Sequence, residues 1–470
     1  MTPNPRTLTA LGAVLTLLFI LPLSIPGGYF VLPKLAVTGL WLAGLASVLF
    51  LARSKYRFSM PRPILWLLAA YLAWGAISNL LLSPYREFTL MGWPNWYSAF
   101  TLTMLIAAVF AVANFVRRDA ETPTAPALRV LFGLSAFVCG LSVLERLGFN
   151  PLIGGPWFVI PDLPKDFAPV SPIVTVGNPG WLAGLWLLML PLPLMKDAPA
   201  RLVVPWILIN AVGLASTSNK TSLYLGVVAL AGFLAWRQLK KTNWNRGALL
   251  AAIALMLVAS PFLTETNKVL YANSIASRLT SVAAVDASAG SSSLYNRVLI
   301  WKSALRLTAQ RPLTGWGLDT LQMNFFEGIP KDDYHQIIAP VVNLKADETV
   351  RNTGFLHMVF GPGDTFRRMQ FFTMVKPHNA LVEELYSHGV IGLVLLSTLL
   401  LACARFILQH GGSTEKLLLL ACGLYGIYLL VWFTTIAVTP FAAAFLGFAV
   451  AGSARCRLEA EAPVHAERSR

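Results

Sequence analysis

Apolar residues fill this chain in long stretches separated by short charged turns, and polar sequence takes over at length only between Glu265 and Lys376. A stretch of ~20 apolar residues is long enough to cross a bilayer as a helix. The pattern predicts twelve spans, at Leu8–Ile25, Leu35–Leu51, Ile64–Leu82, Ala99–Phe115, Leu128–Leu144, Trp181–Leu194, Val203–Ser216, Leu223–Trp236, Ala248–Phe262, Asn379–Phe406, Leu417–Thr434 and Ile436–Ala451. The expected fold class is an all-α polytopic membrane protein with about 12 transmembrane helices and one large, partly helical periplasmic loop. Its parts are 1–264 with the first nine helices, 265–376 as the loop, 377–453 with the last three helices, and 454–470 as a cytoplasmic tail. No ten-residue stretch alternates with a period of two, which speaks against a transmembrane barrel. The first apolar run lacks a small-residue cleavage site and reads as a retained span.

Inside the long polar segment, Leu294, Val298, Trp301 and Leu305 recur at helical spacing. An amphipathic helix is expected there, ended by Pro312 and the Gly315-Trp316-Gly317 turn. Before it, Ser281–Ser293 is small and Ser-rich, as linkers are. A second outer segment, Gly148 to Gly180, holds seven prolines and reads as a rigid, irregular lid.

Composition agrees with the span pattern. The chain is 56% hydrophobic and 13% charged, with a mean hydropathy of +0.62. The net charge of +15 concentrates in alternate short loops, which makes that set cytoplasmic, with both termini inside and the long segment outside. That bias, with attraction to anionic membrane lipids, accounts for the charge without nucleic acid. Cys139, Cys403 and Cys422 lie in spans and Cys456 in the tail, so no disulfide braces the outer loop, and no zinc-type spacing is present.

The outer loop carries twelve Lys or Arg against nine Asp or Glu. A cationic cleft at the membrane surface suits a phosphate or pyrophosphate headgroup, which Arg grips as a bidentate fork and Lys as a point charge. Arg297 stands out because it opens the amphipathic helix beside Tyr295 and Asn296. Lys220 stands out because it lies in a polar break of seven residues, Ser216 to Ser222, between two spans. Among six histidines, His378 closes the loop in Lys376-Pro377-His378-Asn379 just before an apolar run. Pro377 suits the first helical position, which would put His378 in the first turn, where the positive helix end favours the uncharged base. Glycines Gly389 and Gly392 are expected to admit a neighbouring helix.

His378-Asn379, nine residues, then Gly389-Val390-Ile391-Gly392 resembles the motif of bacterial O-antigen ligases, a family of the O-antigen ligase/polymerase superfamily. Arg297, Trp301 and Pro312-Leu313-Thr314-Gly315-Trp316-Gly317 resemble the segment that precedes that histidine in the family, and Gly177-Asn178-Pro179 an element before a span. Asn219-Lys220-Thr221 stands where the family often has an Arg, so a bidentate contact would become a point charge. The likeness runs from about residue 175 to 400.

The resemblance implies a membrane-embedded, metal-independent, inverting glycosyltransferase of the GT-C type, with no cofactor. It would transfer an O-antigen glycan from undecaprenyl pyrophosphate to a lipid A-core sugar hydroxyl, completing lipopolysaccharide at the periplasmic face of the bacterial inner membrane. His378 would be the base; Arg297, Lys220 and Arg278 would bind pyrophosphate; Asn379, Asn178 and Tyr295 would support them. The rivals are an O-antigen polymerase, a protein O-oligosaccharyltransferase and, from another class, a lipid-carrier flippase or transporter. The last would call for more internal symmetry and more intramembrane charge.

Overall fold

The computed structural model describes residues 31–51, 56–92, 99–117, 124–147, 178–240, 245–272, 293–329, 345, 347–353, 356–371 and 376–468. The predicted span Leu8–Ile25, most of the proline-punctuated segment, the Ser-rich stretch and Arg278 lie outside them.

A helix overlaps each of the other eleven predicted spans, three of which (Ala99–Phe115, Trp181–Leu194 and Leu417–Thr434) run past the end of their helix. They are α1 (Val31–Leu51), α2 (Arg62–Ala76, continued by a π-turn Ile77–Leu82), α3 (Ala99–Val112), α4 (Thr124–Arg146), α5 (Pro179–Met189), α6 (Ala200–Ser216), α7 (Lys220–Lys240) and α8 (Arg246–Ala272). The expected amphipathic helix forms as α9 (Ser293–Thr308), and the chain ends in α10 (Ala380–His410), α11 (Ser413–Leu429) and α12 (Thr439–Arg468). Among the described residues, five helical stretches are long and apolar enough to cross a membrane: Arg62–Leu82, Ala125–Arg146, Arg246–Leu263, Ala380–His410 and Thr439–Glu461. The chain is a mostly helical membrane protein.

Two apolar clusters hold the helices together. One joins α4 to α8 with α11, through Val138, Trp186, Trp206, Met256 and Tyr428. The other joins α2 and α3 to α10 and α12, through Ile64, Val109, Cys403 and Val450. Helix α5 is hydrophobic all round and buried along its length, as such a helix must be. Helix α9 docks on the start of α10 through a third cluster, Leu299, Ala304, Leu307, Phe325 and Tyr386. The loop helix is therefore a fixed part of the core.

Among the described residues, two sheets supplement the helices. Strands β1 (Tyr56–Phe58) and β2 (Phe115–Arg117) pair antiparallel. Within the long polar segment, β3 (Thr349–Thr353), β4 (Leu356–Gly361) and β5 (Thr365–Phe371) form an antiparallel sheet in the order β3-β4-β5. Ion pairs Arg351–Asp364 (2.6 Å), Arg368–Glu348 (2.9 Å) and Arg367–Asp347 (3.5 Å) decorate it. Three of the loop's cations are thus matched locally, mostly at the surface, where such pairs contribute ~0–1 kcal/mol.

Helix α10 breaks at Gly389, whose φ of 68° and ψ of −170° lie outside the helical region. The break strands backbone groups in the interior of an apolar helix, where a buried unpaired one costs about as much as a lost hydrogen bond. The Pro312–Gly317 turn fills it. Trp316 and Gly317 donate their backbone N–H groups to the carbonyls of Tyr386 (2.8 Å) and Ser387 (2.9 Å), and Val390 donates to that of Pro312 (2.8 Å). The indole of Trp74 donates to the carbonyl of His388 (2.9 Å). The sequence expectation that Gly389 admits a helix is corrected: it admits a turn, and a Cβ there would sit 2.2 Å from the Leu313 carbonyl oxygen. Gly392 faces the His388 and Glu384 side chains of its own helix.

Candidate active site

His378 does not lie in the first turn of a helix. Asn379 is the N-cap of α10, its side-chain oxygen accepting from the backbone N–H of Leu381 (3.0 Å) and Val382 (3.1 Å). His378 stands before the cap with φ of 55°, a left-handed conformation that His tolerates better than most residues. Three contacts fix this turn. The Trp301 indole on α9 donates to the Pro377 carbonyl (2.9 Å). The His378 ring meets Trp432 and Phe433 edge-on, with centroids 5.3 and 4.8 Å apart. Its Nδ1 lies 3.1 Å from the Lys376 carbonyl oxygen. A carbonyl can only accept, so the proton sits on Nδ1 and the lone pair on Nε2.

Arg297 lies across the same aromatic surface, its guanidinium 5.3 Å from the Trp432 ring centroid. Burial lowers the pKa of Arg297. Burial, then the Arg297 charge, push the His378 imidazole down to about 4, against the hydrogen bond to Lys376. Burial and the Arg297 charge both favour the uncharged imidazole.

Lys220 begins α7 and is exposed. Beside it, Asn219 donates its amide to the Tyr428 hydroxyl (3.0 Å), and Tyr428 donates to the Gly180 carbonyl (2.9 Å). Tyr428 stacks on Trp432, and Trp432 on Phe433, at 6.2 and 5.5 Å. The Lys220 turn, the start of α5, Arg297 and His378 therefore converge on one aromatic row, Tyr428–Trp432–Phe433. Asn178 caps α5 through Gly180 (2.7 Å), a structural use of its oxygen. Tyr295 lies on α9, but its side chain is outside the described residues, as is Arg278.

Sequence reasoning missed the aromatic row, which hydropathy reads as the end of a span. It also missed a buried cluster behind His378, where Lys376 Nζ lies 3.3 Å from Asp319 and 2.5 Å from Glu383. A further buried chain links α2 to α10. The Asn79 side-chain oxygen accepts from Leu318 N–H (2.8 Å), so its amide nitrogen faces His388 Nε2 (2.8 Å). His388 Nδ1 then donates to Glu384 (2.7 Å), which also accepts from the Tyr71 hydroxyl (3.1 Å).

No curated protein matches the chain. The family model described as O-antigen ligase matches residues 206–350, which hold Lys220, Arg297, α9 and the Pro312–Gly317 turn and stop short of His378. Over that stretch, about a third of its length, the chain is similar to the O-antigen ligase family, and Arg297 within it shares one aromatic surface with His378 beyond it.

Proposed function

We propose that the protein is an O-antigen ligase, moving a glycan from undecaprenyl pyrophosphate to a sugar hydroxyl of lipid A-core at the outer face of the bacterial inner membrane. The observation that carries this reading is the pairing of His378 and Arg297 on Trp432. In a single displacement the acceptor oxygen attacks the anomeric carbon and the bond from that carbon to the phosphate oxygen breaks. The electron pair leaves with undecaprenyl pyrophosphate, and the anomeric centre inverts. His378 Nε2 takes the hydroxyl proton. Arg297, with Lys220 and Arg278, meets the developing charge on the pyrophosphate, the kind of stabilisation otherwise supplied by a metal ion. Asn379 and Asn178 cap the helices that flank the site, and Tyr295 is a supporting residue. The site faces the periplasm, with twelve spans and both termini cytoplasmic.

The test uses purified protein, lipid-linked glycan and lipid A-core in EDTA, read as a shift of lipopolysaccharide on a gel. A glycan-bearing product is expected. Longer glycans on the carrier, with no product on lipid A-core, would make the protein a polymerase instead. In the same assay Arg297→Ala is expected to lower kcat/KM for the donor by about 10²-fold, the loss of a charge-assisted bidentate contact, and Arg297→Lys by less. Equal, normal rates for both variants would remove Arg297 from the site.

The pH profile gives a second test. With the His378 pKa at about 4, the base form is present above that pH. The kcat/KM should therefore fall as pH drops through roughly 4, since this profile reports the free enzyme. Donor pyrophosphate pairs with Arg297 and offsets the cation that depresses His378, so the limb in kcat should lie at higher pH than that in kcat/KM. Arg297→Gln should raise the kcat/KM limb. An unmoved limb in that variant would separate the two residues.

A further inference from the structure

Lys376 sits two residues before the proposed base, yet its side chain points away from solvent and is 3% exposed. Its ammonium lies between Asp319 Oδ1 (3.3 Å) and Glu383 Oε1 (2.5 Å), over the Phe433 ring at 5.9 Å from the centroid. Asp319 follows the Gly315-Trp316-Gly317 turn, has a left-handed φ of 57°, and accepts from the Ala99 N–H at the start of α3 (2.9 Å). Glu383 is on the first turn of α10. Three separate elements thus meet at one ammonium. Because both carboxylates are buried with it, the cluster offers no open face to a substrate.

The backbone of the same residue carries the second observation. The Lys376 carbonyl is the acceptor that holds the proton on His378 Nδ1. An anchored side chain and an anchored carbonyl lie one α-carbon apart. We propose that Lys376, gripped by Asp319 and Glu383, is a positioning residue that fixes the tautomer and aim of His378. This rests on the reading of His378 as the base. The charged and titratable groups around His378 are Arg297 from α9, with Tyr428 of α11 beside it, and Lys376 with Asp319 and Glu383 behind it. A device built this way acts on the rate of proton removal and leaves donor binding to Arg297.

The experiment measures kcat, donor KM and the pH profile of glycan transfer for Lys376→Met, Lys376→Arg and Asp319→Asn. Lys376→Met keeps an unbranched chain, removes the ammonium and frees two buried carboxylates. It is expected to lower kcat by about 10–100-fold, the scale of a small misplacement of a reacting group, with donor KM within about threefold. Its acid limb should move to higher pH, because a cation beside His378 is lost. Lys376→Arg should return part of kcat and place the limb near that of wild type. Should Lys376→Met fail to fold, Asp319→Asn leaves the Lys376–Glu383 pair in place and should lower kcat in the same direction by less. Wild-type kcat and an unmoved limb in either folded variant, or a loss confined to KM, would overturn the positioning role. His378→Ala separates the two readings. If it is inactive while Lys376→Met is normal, only the positioning role fails; if it transfers normally, the base assignment fails and the positioning role with it.

Discussion

Glycan transfer to lipid A-core is expected to fall to background when His378 is replaced by alanine, a loss of at least roughly 10²–10⁴-fold, the range for a positioned general base. The size of the effect follows from geometry. Nδ1 is committed to the Lys376 carbonyl at 3.1 Å, which leaves Nε2 as the lone pair available to an acceptor hydroxyl. Arg297 is barred from that role because it stays protonated. The substitution also places alanine at φ of 55°, a left-handed conformation that costs an L residue about 1–2 kcal/mol. His378→Asn separates chemistry from folding, since asparagine tolerates that conformation and carries no basic nitrogen. Both variants should elute from detergent size-exclusion columns as the wild type does, and both should leave lipid A-core unmodified. A wild-type ladder from either would remove His378 from the chemistry.

The helices were legible because long apolar runs carry their own signal, and every predicted span from Leu35 onward overlaps a helix. His378 was legible through its spacing to Gly389, but its place in the backbone was misread. Pro377 suggested a helix start, whereas Asn379, a strong N-cap type, moves the start to Ala380 and leaves His378 outside. The capping signal was present two residues on. Tyr428, Trp432 and Phe433 could not be read as a site, because aromatic and aliphatic residues look alike to hydropathy at the end of a span. Nor could Lys376, Asp319 and Glu383, since Lys376 and Asp319 are separated by a whole sheet in sequence and meet only through the turn after Pro312. The sheet β3-β4-β5 had one local cue, Pro362-Gly363-Asp364 between two short β-type runs, which forms the turn joining β4 to β5.

Gly389→Ala is expected to cost more stability than any other single methyl addition in this region. Two separate penalties add. The backbone at Gly389, φ of 68° and ψ of −170°, lies in a region used by glycine alone, where an L side chain costs about 1–3 kcal/mol. The new Cβ would also sit 2.2 Å from the Leu313 carbonyl oxygen and 2.7 Å from that of Pro312. Both are backbone atoms, so relief requires moving the turn that satisfies the carbonyls of Tyr386 and Ser387. Shifting that turn would expose stranded backbone groups and pull Asp319, three residues after Trp316, away from Lys376. The measurement is the thermal midpoint of the detergent-solubilised variant, with Gly423→Ala on α11 as the control, since a Cβ there meets nothing within 4 Å. The control should match or exceed the wild type by up to about 1 kcal/mol, as alanine does over glycine inside a helix. Gly389→Ala should fall well below both or fail to accumulate. A midpoint equal to that of the control would mean that the helix break is not held by this turn, and that the two glycine motifs of the chain are joined only in sequence.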